Sequence, residues 1–132
     1  MTAIEPVIAV INSSEDTVEM LRAFLQHHGF SAVVTGHVTA FKRGDESFLN
    51  YVAEHDPALF VWDIGIPYEQ NWRFLELLLS SDAMKGRKVI VTTTNKKQLD
   101  QLVGPTETIE IVGKPYDLEL VLKAVESALR TG

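Results

Sequence analysis

Strand-sized apolar runs alternate with segments of helical periodicity along the whole sequence, and this alternation limits the folds open to the chain. Residues 7–11 (VIAVI) form a continuous run rich in β-branched residues, typical of a strand covered on both faces. Similar runs at 31–35, 58–62, 89–93 and 108–112 predict four more strands. The intervening spacing predicts helices at 47–54, 69–81, 95–102 and 117–129, and a first helix that follows the capping cluster 12–16 and ends at Gly29. Strands and helices in this order build a parallel sheet with helices on both faces.

Composition and charge exclude several classes of function. The chain has 132 residues, enough for one domain spanning 1–132, and it contains no cysteine, so disulfides and thiolate metal sites are excluded. A net charge of -6 argues against a nucleic-acid surface, which would need clustered Lys and Arg. The apolar runs are too short to span a membrane, and the N-terminus lacks the basic region of a signal peptide. We therefore expect a cytoplasmic protein without nucleic-acid or membrane partners.

Polar side chains follow several of the predicted strands. Asp63 follows the third strand, Thr93 ends the fourth, and Lys114 follows the fifth. In parallel α/β sheets, function gathers at this edge. A carboxylate can attack phosphorus, while a lysine and a hydroxyl can stabilise the oxygens of the transferred group. Singly, the three residues could be a loop brace, a strand residue and an exposed loop lysine, but together they favour an anion-handling site.

Three motifs containing these residues resemble those of response-regulator receiver domains. They are PALFVWDIGIP (57–67), VIVTTT (89–94) and VGKPYD (112–117). The resemblance implies a flavodoxin-like (βα)5 fold, doubly wound around a five-stranded parallel sheet. It also implies that Asp63 is the phospho-acceptor, that Thr93 is the switch hydroxyl, and that Lys114 pairs with the phosphate. A cis peptide bond before Pro115 is implied as well.

The sequence departs from the receiver pattern where the family carries two acidic residues that hold Mg²⁺. The matching positions are Asn12 and Ser13. Mg²⁺ is usually held by one or two carboxylates, and here Asp63, the Gly65 carbonyl and Asn12 would remain as ligands. We therefore predict a Mg²⁺ site that is weakened or absent. Asn12, Ser13 and Ser14 are also explained fully as residues that cap the first helix.

Two further departures concern the switch and one connection. Receivers often carry an aromatic residue three positions before the lysine, and here that position is Ile111. The connection 36–46 (GHVTAFKRGDE) is longer than the family usually needs, and we predict a polar loop there. Within it, Phe41 is a candidate packing anchor. Lys42 and Arg43 are candidates for a partner contact, with simple solvation as the alternative.

Three hypotheses follow. In the first, the chain is a phosphorelay receiver that takes a phosphoryl group on Asp63 from a histidine kinase or phosphotransfer protein and signals to a downstream protein. In the second, it is a pseudo-receiver, a protein-interaction module that is not phosphorylated because Asn12 and Ser13 replace the acidic pair. A small flavodoxin-like enzyme is disfavoured because no further catalytic set and no glycine-rich nucleotide loop is visible, so we expect no enzyme. By analogy with the family, residues 95–129 form the contact face, which could also support a homodimer.

Overall fold

Five strands alternate with six α-helices in the computed structural model, which describes residues 6–104, 109–113 and 118–130. The strands are β1 (Ile8–Asn12), β2 (Val33–His37), β3 (Leu59–Ile64), β4 (Lys88–Thr93) and β5 (Ile109–Gly113). The helices are α1 (Glu15–His27), α2 (Val38–Arg43), α3 (Phe48–His55), α4 (Tyr68–Leu79), α5 (Lys96–Val103) and α6 (Leu118–Arg130), with a 3-10 turn at Asp82–Met84. All five predicted strands are present, with small shifts at their ends.

The strands form one parallel sheet in the order β2-β1-β3-β4-β5. This order confirms the predicted doubly wound, flavodoxin-like arrangement. The chain changes direction across the sheet between β1 and β3, which are neighbours in space but not in sequence. In open parallel sheets the carboxyl ends of strands at such a switch point border a crevice that binds ligands. The topology therefore directs attention to the ends of β1, β3 and β4.

Helices cover both faces of the sheet. Alternate residues of each strand point to opposite faces, so that Ile8 and Val10 join one core while Ala9 and Ile11 join the other. The first core packs beneath α1 and α6, and the second beneath α2, α3, α4 and α5. Every residue of β1 is buried, which explains why its sequence is a continuous apolar run and not an alternating one.

Side-chain caps fix where several helices begin. Ser14 Oγ accepts a hydrogen bond from the backbone N–H of Thr17 at the start of α1 (3.3 Å), and Ser47 and Asn95 cap α3 and α5 in the same way. The longest helices, α1 and α6, have 13 residues each in the part of the chain that is described. None of the helices in that part is long and apolar enough to cross a membrane.

The connection after β2 differs from the sequence prediction. The sequence predicts a polar loop over residues 36–46, but Val38–Arg43 form α2, which ends at Gly44 in the left-handed conformation (φ 77°). Phe41 is buried against the rings of Phe48 and Tyr51, at centroid distances of 5.4 and 5.3 Å. Its role as a packing anchor is thus confirmed. Gly36 leaves room for the Phe41 ring, because a Cβ there would lie 3.3 Å from Phe41 Cζ and 2.9 Å from Ile11 Cδ1.

Tyr51 links α3 to β2 through its phenol. Its hydroxyl donates a hydrogen bond to the backbone carbonyl of Thr35 (3.0 Å), and only 3% of the residue is exposed. Burial raises the pKa of the Tyr51 phenol far above its ordinary value, and the nearby carboxylates of Glu46 and Glu54 raise it further. The folded state therefore requires the neutral phenol at this position.

We expect Tyr51→Phe to change how stability depends on alkaline pH. The pKa of the Tyr51 phenol is higher in the folded than in the unfolded state. The stability that the neutral phenol contributes is therefore fully present below the unfolded pKa of about 10, and it is lost as pH rises towards the folded pKa. The substitution should cost about 1–2 kcal/mol at neutral pH, because the Thr35 carbonyl loses its partner, and should flatten the alkaline decline. Urea unfolding at neutral and alkaline pH measures both effects, with Tyr68→Phe as the matched control. If the stability of Tyr51→Phe declined at alkaline pH as steeply as that of the wild type, the decline would come from a group other than Tyr51.

Candidate functional site

The candidate site lies at the carboxyl ends of the central strands. Asp63 is the second-last residue of β3 and is half-buried, and it pairs in register with Thr92 of β4. Asn12 ends β1 one position beyond the Ile11–Trp62 pair, which places it beside Asp63 in the neighbouring strand. An open cleft of about 240 Å³ lies above this edge. It is lined by Ser13, Val38, Thr39, Lys42, Asp63, Gly65, Ile66, Pro67 and Asn71.

The hydroxyl that reaches Asp63 belongs to Thr92. Thr92 Oγ1 donates a hydrogen bond to Asp63 Oδ1 (2.8 Å), whereas the strand-four motif predicts Thr93 as the site hydroxyl. Thr93 is fully buried, and its Oγ1 accepts a hydrogen bond from the backbone N–H of Asn95 (3.3 Å). Side chains alternate along β4, so Thr92 shares the face of Ile90 while Thr93 faces the opposite core. The structure therefore brings Thr92, and not Thr93, to the carboxylate.

Asn12 and its neighbours form the start of α1. Asn12 is 3% exposed, and its Oδ1 accepts a hydrogen bond from the backbone N–H of Ser14 (2.9 Å). Ser14 Oγ in turn accepts from Thr17, at the first turn of the helix. The capping interpretation of this cluster therefore has direct geometric support, while Ser13 is exposed and lines the cleft.

The oxygens at this edge do not fit a divalent cation well. Of the implied ligands, Asn12 Oδ1 already accepts from Ser14, and the carbonyl of Gly65 accepts from Asn71 Nδ2 (2.9 Å). Asp63 is then the one carboxylate among the described residues that line the cleft. Within the described ranges, no group of three or more His, Asp or Glu side chains could hold a metal ion. A single carboxylate is the lower limit of what usually holds Mg²⁺ in proteins, so this set supplies little negative charge for the ion.

A lysine that no sequence motif assigns to the site lines the same cleft. Lys42 Nζ, on α2, donates a hydrogen bond to Asn71 Oδ1, and Asn71 Nδ2 donates to the Gly65 carbonyl. The ammonium also lies 5.7 Å from the ring centroid of Phe74. This chain of contacts connects α2 to the loop that follows Asp63. No local pattern could have found it, because Lys42 and Asn71 are far apart in sequence.

The remaining site predictions lie partly outside the described residues. Lys114 and the peptide bond before Pro115 belong to 114–117, which the structure does not describe. Ile111 lies on β5 and is half-buried. At the rim of the cleft, the Tyr68 hydroxyl hydrogen-bonds Thr94 Oγ1 (2.5 Å) and connects α4 to the end of β4. The described site thus consists of a carboxylate, the Thr92 hydroxyl and a nearby ammonium group.

Several solved receiver domains resemble this chain in structure. Chemotaxis protein CheY4 of Vibrio cholerae matches with a TM-score of 0.66 at 18% sequence identity, over 95% of this chain and 99% of that one. The CheY-like receiver domain from Methylobacillus flagellatus gives 0.64 at 15% identity, over 93% and 98%. The response regulator domain of Thermotoga maritima CheB gives 0.60 at 12% identity, over 96% of each. No family model matches the sequence, and no curated protein matches it significantly. The fold is that of the receiver domains, as the motifs predicted.

Proposed function

We propose that this chain is a phosphorelay receiver in which Asp63 accepts a phosphoryl group from the phosphohistidine of a kinase or phosphotransfer protein. The observation that supports this most is the placement of Asp63. Its carboxylate lies at the switch point of the sheet, borders an open cleft, and has a hydroxyl donor at 2.8 Å. An Asp63 oxygen attacks phosphorus, the P–N bond of the donor breaks, and the imidazole leaves with the bonding electron pair.

The surrounding groups have distinct roles in this proposal. Thr92 Oγ1 starts as a donor to the carboxylate and turns to an oxygen of the acyl phosphate once the group has transferred. By resemblance to the receiver motif, Lys114 is assigned the role of pairing with the negative charge of the phosphoryl group. Output then runs through protein contact, and the surface formed by residues 95–129, which includes the edge strand β5, is the proposed face for a downstream target or a second copy of the chain.

A pseudo-receiver is the second candidate, and one observation favours it. Asn12 Oδ1 and the Gly65 carbonyl are engaged in internal hydrogen bonds, at the positions where a receiver would bind Mg²⁺. Phosphoryl transfer depends on neutralising the charge of the transferred group, so a site without that cation needs another source of positive charge. If no other positive charge acts on the transferred group, Asp63 is not phosphorylated and the fold serves only as a protein-interaction module.

Intact-mass spectrometry distinguishes the two candidates. The folded protein is incubated with phosphoramidate, whose P–N bond resembles that of phosphohistidine, and with acetyl phosphate, with Mg²⁺ and with EDTA. We expect the mass of one phosphoryl group to be added to the wild type and not to Asp63→Asn. No addition from either donor, in protein whose circular dichroism spectrum is that of a folded domain, would favour the pseudo-receiver. Addition that persists in Asp63→Asn would place the acceptor elsewhere.

Thr92 and Thr93 provide a matched pair for testing the site geometry. We expect Thr92→Val to lower the phosphorylation rate by roughly ten- to a hundredfold, because valine keeps the shape but removes the donor to the phosphoryl oxygens. Thr93→Val should leave the rate within about twofold, since its hydroxyl bonds the Asn95 backbone on the other face. Rates come from the time course of the mass change. If Thr93→Val slowed phosphorylation more than Thr92→Val, the hydroxyl that acts on the phosphoryl group would be that of Thr93.

A further inference from the structure

A phosphoryl group on Asp63 would need positive charge close to it, a requirement that rests on the proposed function. A phosphoryl group brings roughly two negative charges to the cleft. The acidic pair that would recruit a divalent cation is replaced by Asn12 and Ser13, and the neutral oxygens nearby accept internal hydrogen bonds. We infer that the Lys42 ammonium occupies the place of the divalent cation at this cleft and holds the phosphoryl oxygens on Asp63.

The position of Lys42 is fixed by the residue before it. Phe41 is 7% exposed and packs among Phe48, Tyr51 and Trp62, so it anchors the short helix α2 against the core. The next residue along the helix, Lys42, is exposed and lines the cleft together with Asp63. The packing of Phe41 thereby places a basic side chain in the wall of the cleft that Asp63 also lines.

The contacts of Lys42 hold its ammonium at the mouth of the cleft without neutralising it. Its partners are the amide oxygen of Asn71 and the face of the Phe74 ring, both of which are uncharged. Of the described residues that line the cleft, Lys42 is the one that carries a positive charge. A lysine has a flexible stem and three donors, so it can leave Asn71 for a phosphoryl oxygen when that stronger acceptor arrives.

A purely structural role for Lys42 makes a different prediction. If the side chain serves only to tie α2 to Asn71, then a glutamine at this position, which keeps an N–H donor, should suffice. If the positive charge matters, then Lys42→Arg should work and Lys42→Gln should not. Arg43 is the matched control, because it is basic, exposed and adjacent on α2 but does not line the cleft.

The first test measures phosphorylation rates with phosphoramidate in EDTA and in millimolar Mg²⁺. For the wild type we expect rates that agree within about twofold in the two conditions, since the cation is already part of the chain. Lys42→Gln should lower the rate in EDTA by roughly tenfold or more, and Lys42→Arg should restore most of it. Arg43→Gln should match the wild type. A wild-type rate that depends strongly on Mg²⁺, or equal rates for Lys42→Gln and Arg43→Gln, would overturn the inference.

The second test does not depend on phosphorylation. Mn²⁺ is added to the isotopically labelled protein, and paramagnetic broadening of the amide signals of Asp63 and Gly65 is recorded by NMR. The wild type should show no selective broadening there, whereas Lys42→Glu, which puts a carboxylate in place of the ammonium, should create it, and Arg43→Glu should not. Selective broadening in the wild type, or none in Lys42→Glu, contradicts the inference. If the Mn²⁺ results are as expected but Asp63 takes no phosphate, the proposed function fails and the placement of Lys42 stands.

Discussion

Phe41→Ala is expected to lower the free energy of unfolding by about 3–5 kcal/mol, the usual cost of removing a buried phenylalanine. The ring of Phe41 meets Phe48 and Tyr51 edge to face and stacks on Trp62 with a centroid distance of 6.3 Å. These residues belong to the core beneath α2 to α5, so the loss affects the domain and not only the short helix. Single domains are stable by about 5–15 kcal/mol, and a loss of this size is a large part of that.

Urea denaturation followed by circular dichroism measures the effect. Leu49→Ala is the control, because Leu49 lies on neighbouring α3 but is 57% exposed, and its truncation should change stability by less than about 0.5 kcal/mol. Phe41→Leu keeps most of the volume and should lose only about 1–1.5 kcal/mol. A loss below about 1 kcal/mol in Phe41→Ala would mean that α2 is not docked on the core in solution. The packing of Phe41 would then not hold Lys42 at the cleft.

The sheet and the edge that carries the candidate site could be predicted from the sequence, because the information is local. Each strand buried on both faces leaves a continuous apolar run, as in VIAVI and LFVW, and each helix leaves a 3.6-residue period. Asp63 could be identified because it follows such a run directly. The resemblance of the motifs to receiver domains implies a doubly wound, flavodoxin-like sheet, and the observed order of strands agrees with it.

The errors arise where the decisive contact is not local. Helix α2 has six residues and two buried positions, Val38 and Phe41, too few for a clear period. Three consecutive threonines stand at 92–94, and the motif predicts Thr93 as the site hydroxyl, whereas the structure places Thr92 against Asp63. The contact follows from the parallel register that pairs Asp63 with Thr92, residues that are 29 positions apart in sequence.

Charged residues show the same limit. From the sequence alone, Lys85, Arg87 and Lys88 form a small basic patch whose simplest interpretation is a solvated turn after a helix. In the structure Arg87 donates to the Asp56 carboxylate (2.8 Å) and to the Pro57 carbonyl (2.6 Å), and its side chain is only 20% exposed. Its partners lie about one βα unit away in sequence, so composition alone could not distinguish this clamp from a solvated arginine. The contact between Lys42 and Asn71 joins residues 29 positions apart, so it could not be predicted for the same reason.

Replacing Asn12 and Ser13 together by Asp is expected to create a Mg²⁺ site where the wild type has a capped helix. Asn12→Asp keeps an oxygen for the Ser14 N–H, so the helix start survives. Asn12 is 3% exposed, however, and a carboxylate there beside Asp63 adds a poorly solvated negative charge. Without metal, the double variant should lose about 1–3 kcal/mol of stability.

Mg²⁺ should reverse that loss in the double variant and leave the wild type unchanged. Binding to the folded state alone adds about 2.7 kcal/mol when the ion is in hundredfold excess over its Kd, which corresponds to a rise of roughly 10 °C in Tm for a domain of this size. Thermal unfolding with Mg²⁺ and with EDTA measures it. The control is the paired change Ser47→Asp with Asn50→Asp, which adds the same two charges at the capped start of α3.

The outcome also bears on Lys42, because a lysine and a divalent cation cannot both occupy one position at the cleft. If Lys42 holds the cation's place, then adding Lys42→Gln to the double variant should tighten Mg²⁺ binding further, since like charges repel more strongly away from bulk water. If Mg²⁺ raised the Tm of the wild type as much as that of the double variant, Asn12 and Ser13 would already support a metal site. A double variant indifferent to Mg²⁺, even with Lys42→Gln, would mean that the geometry of this edge, and not the missing carboxylates, excludes the ion.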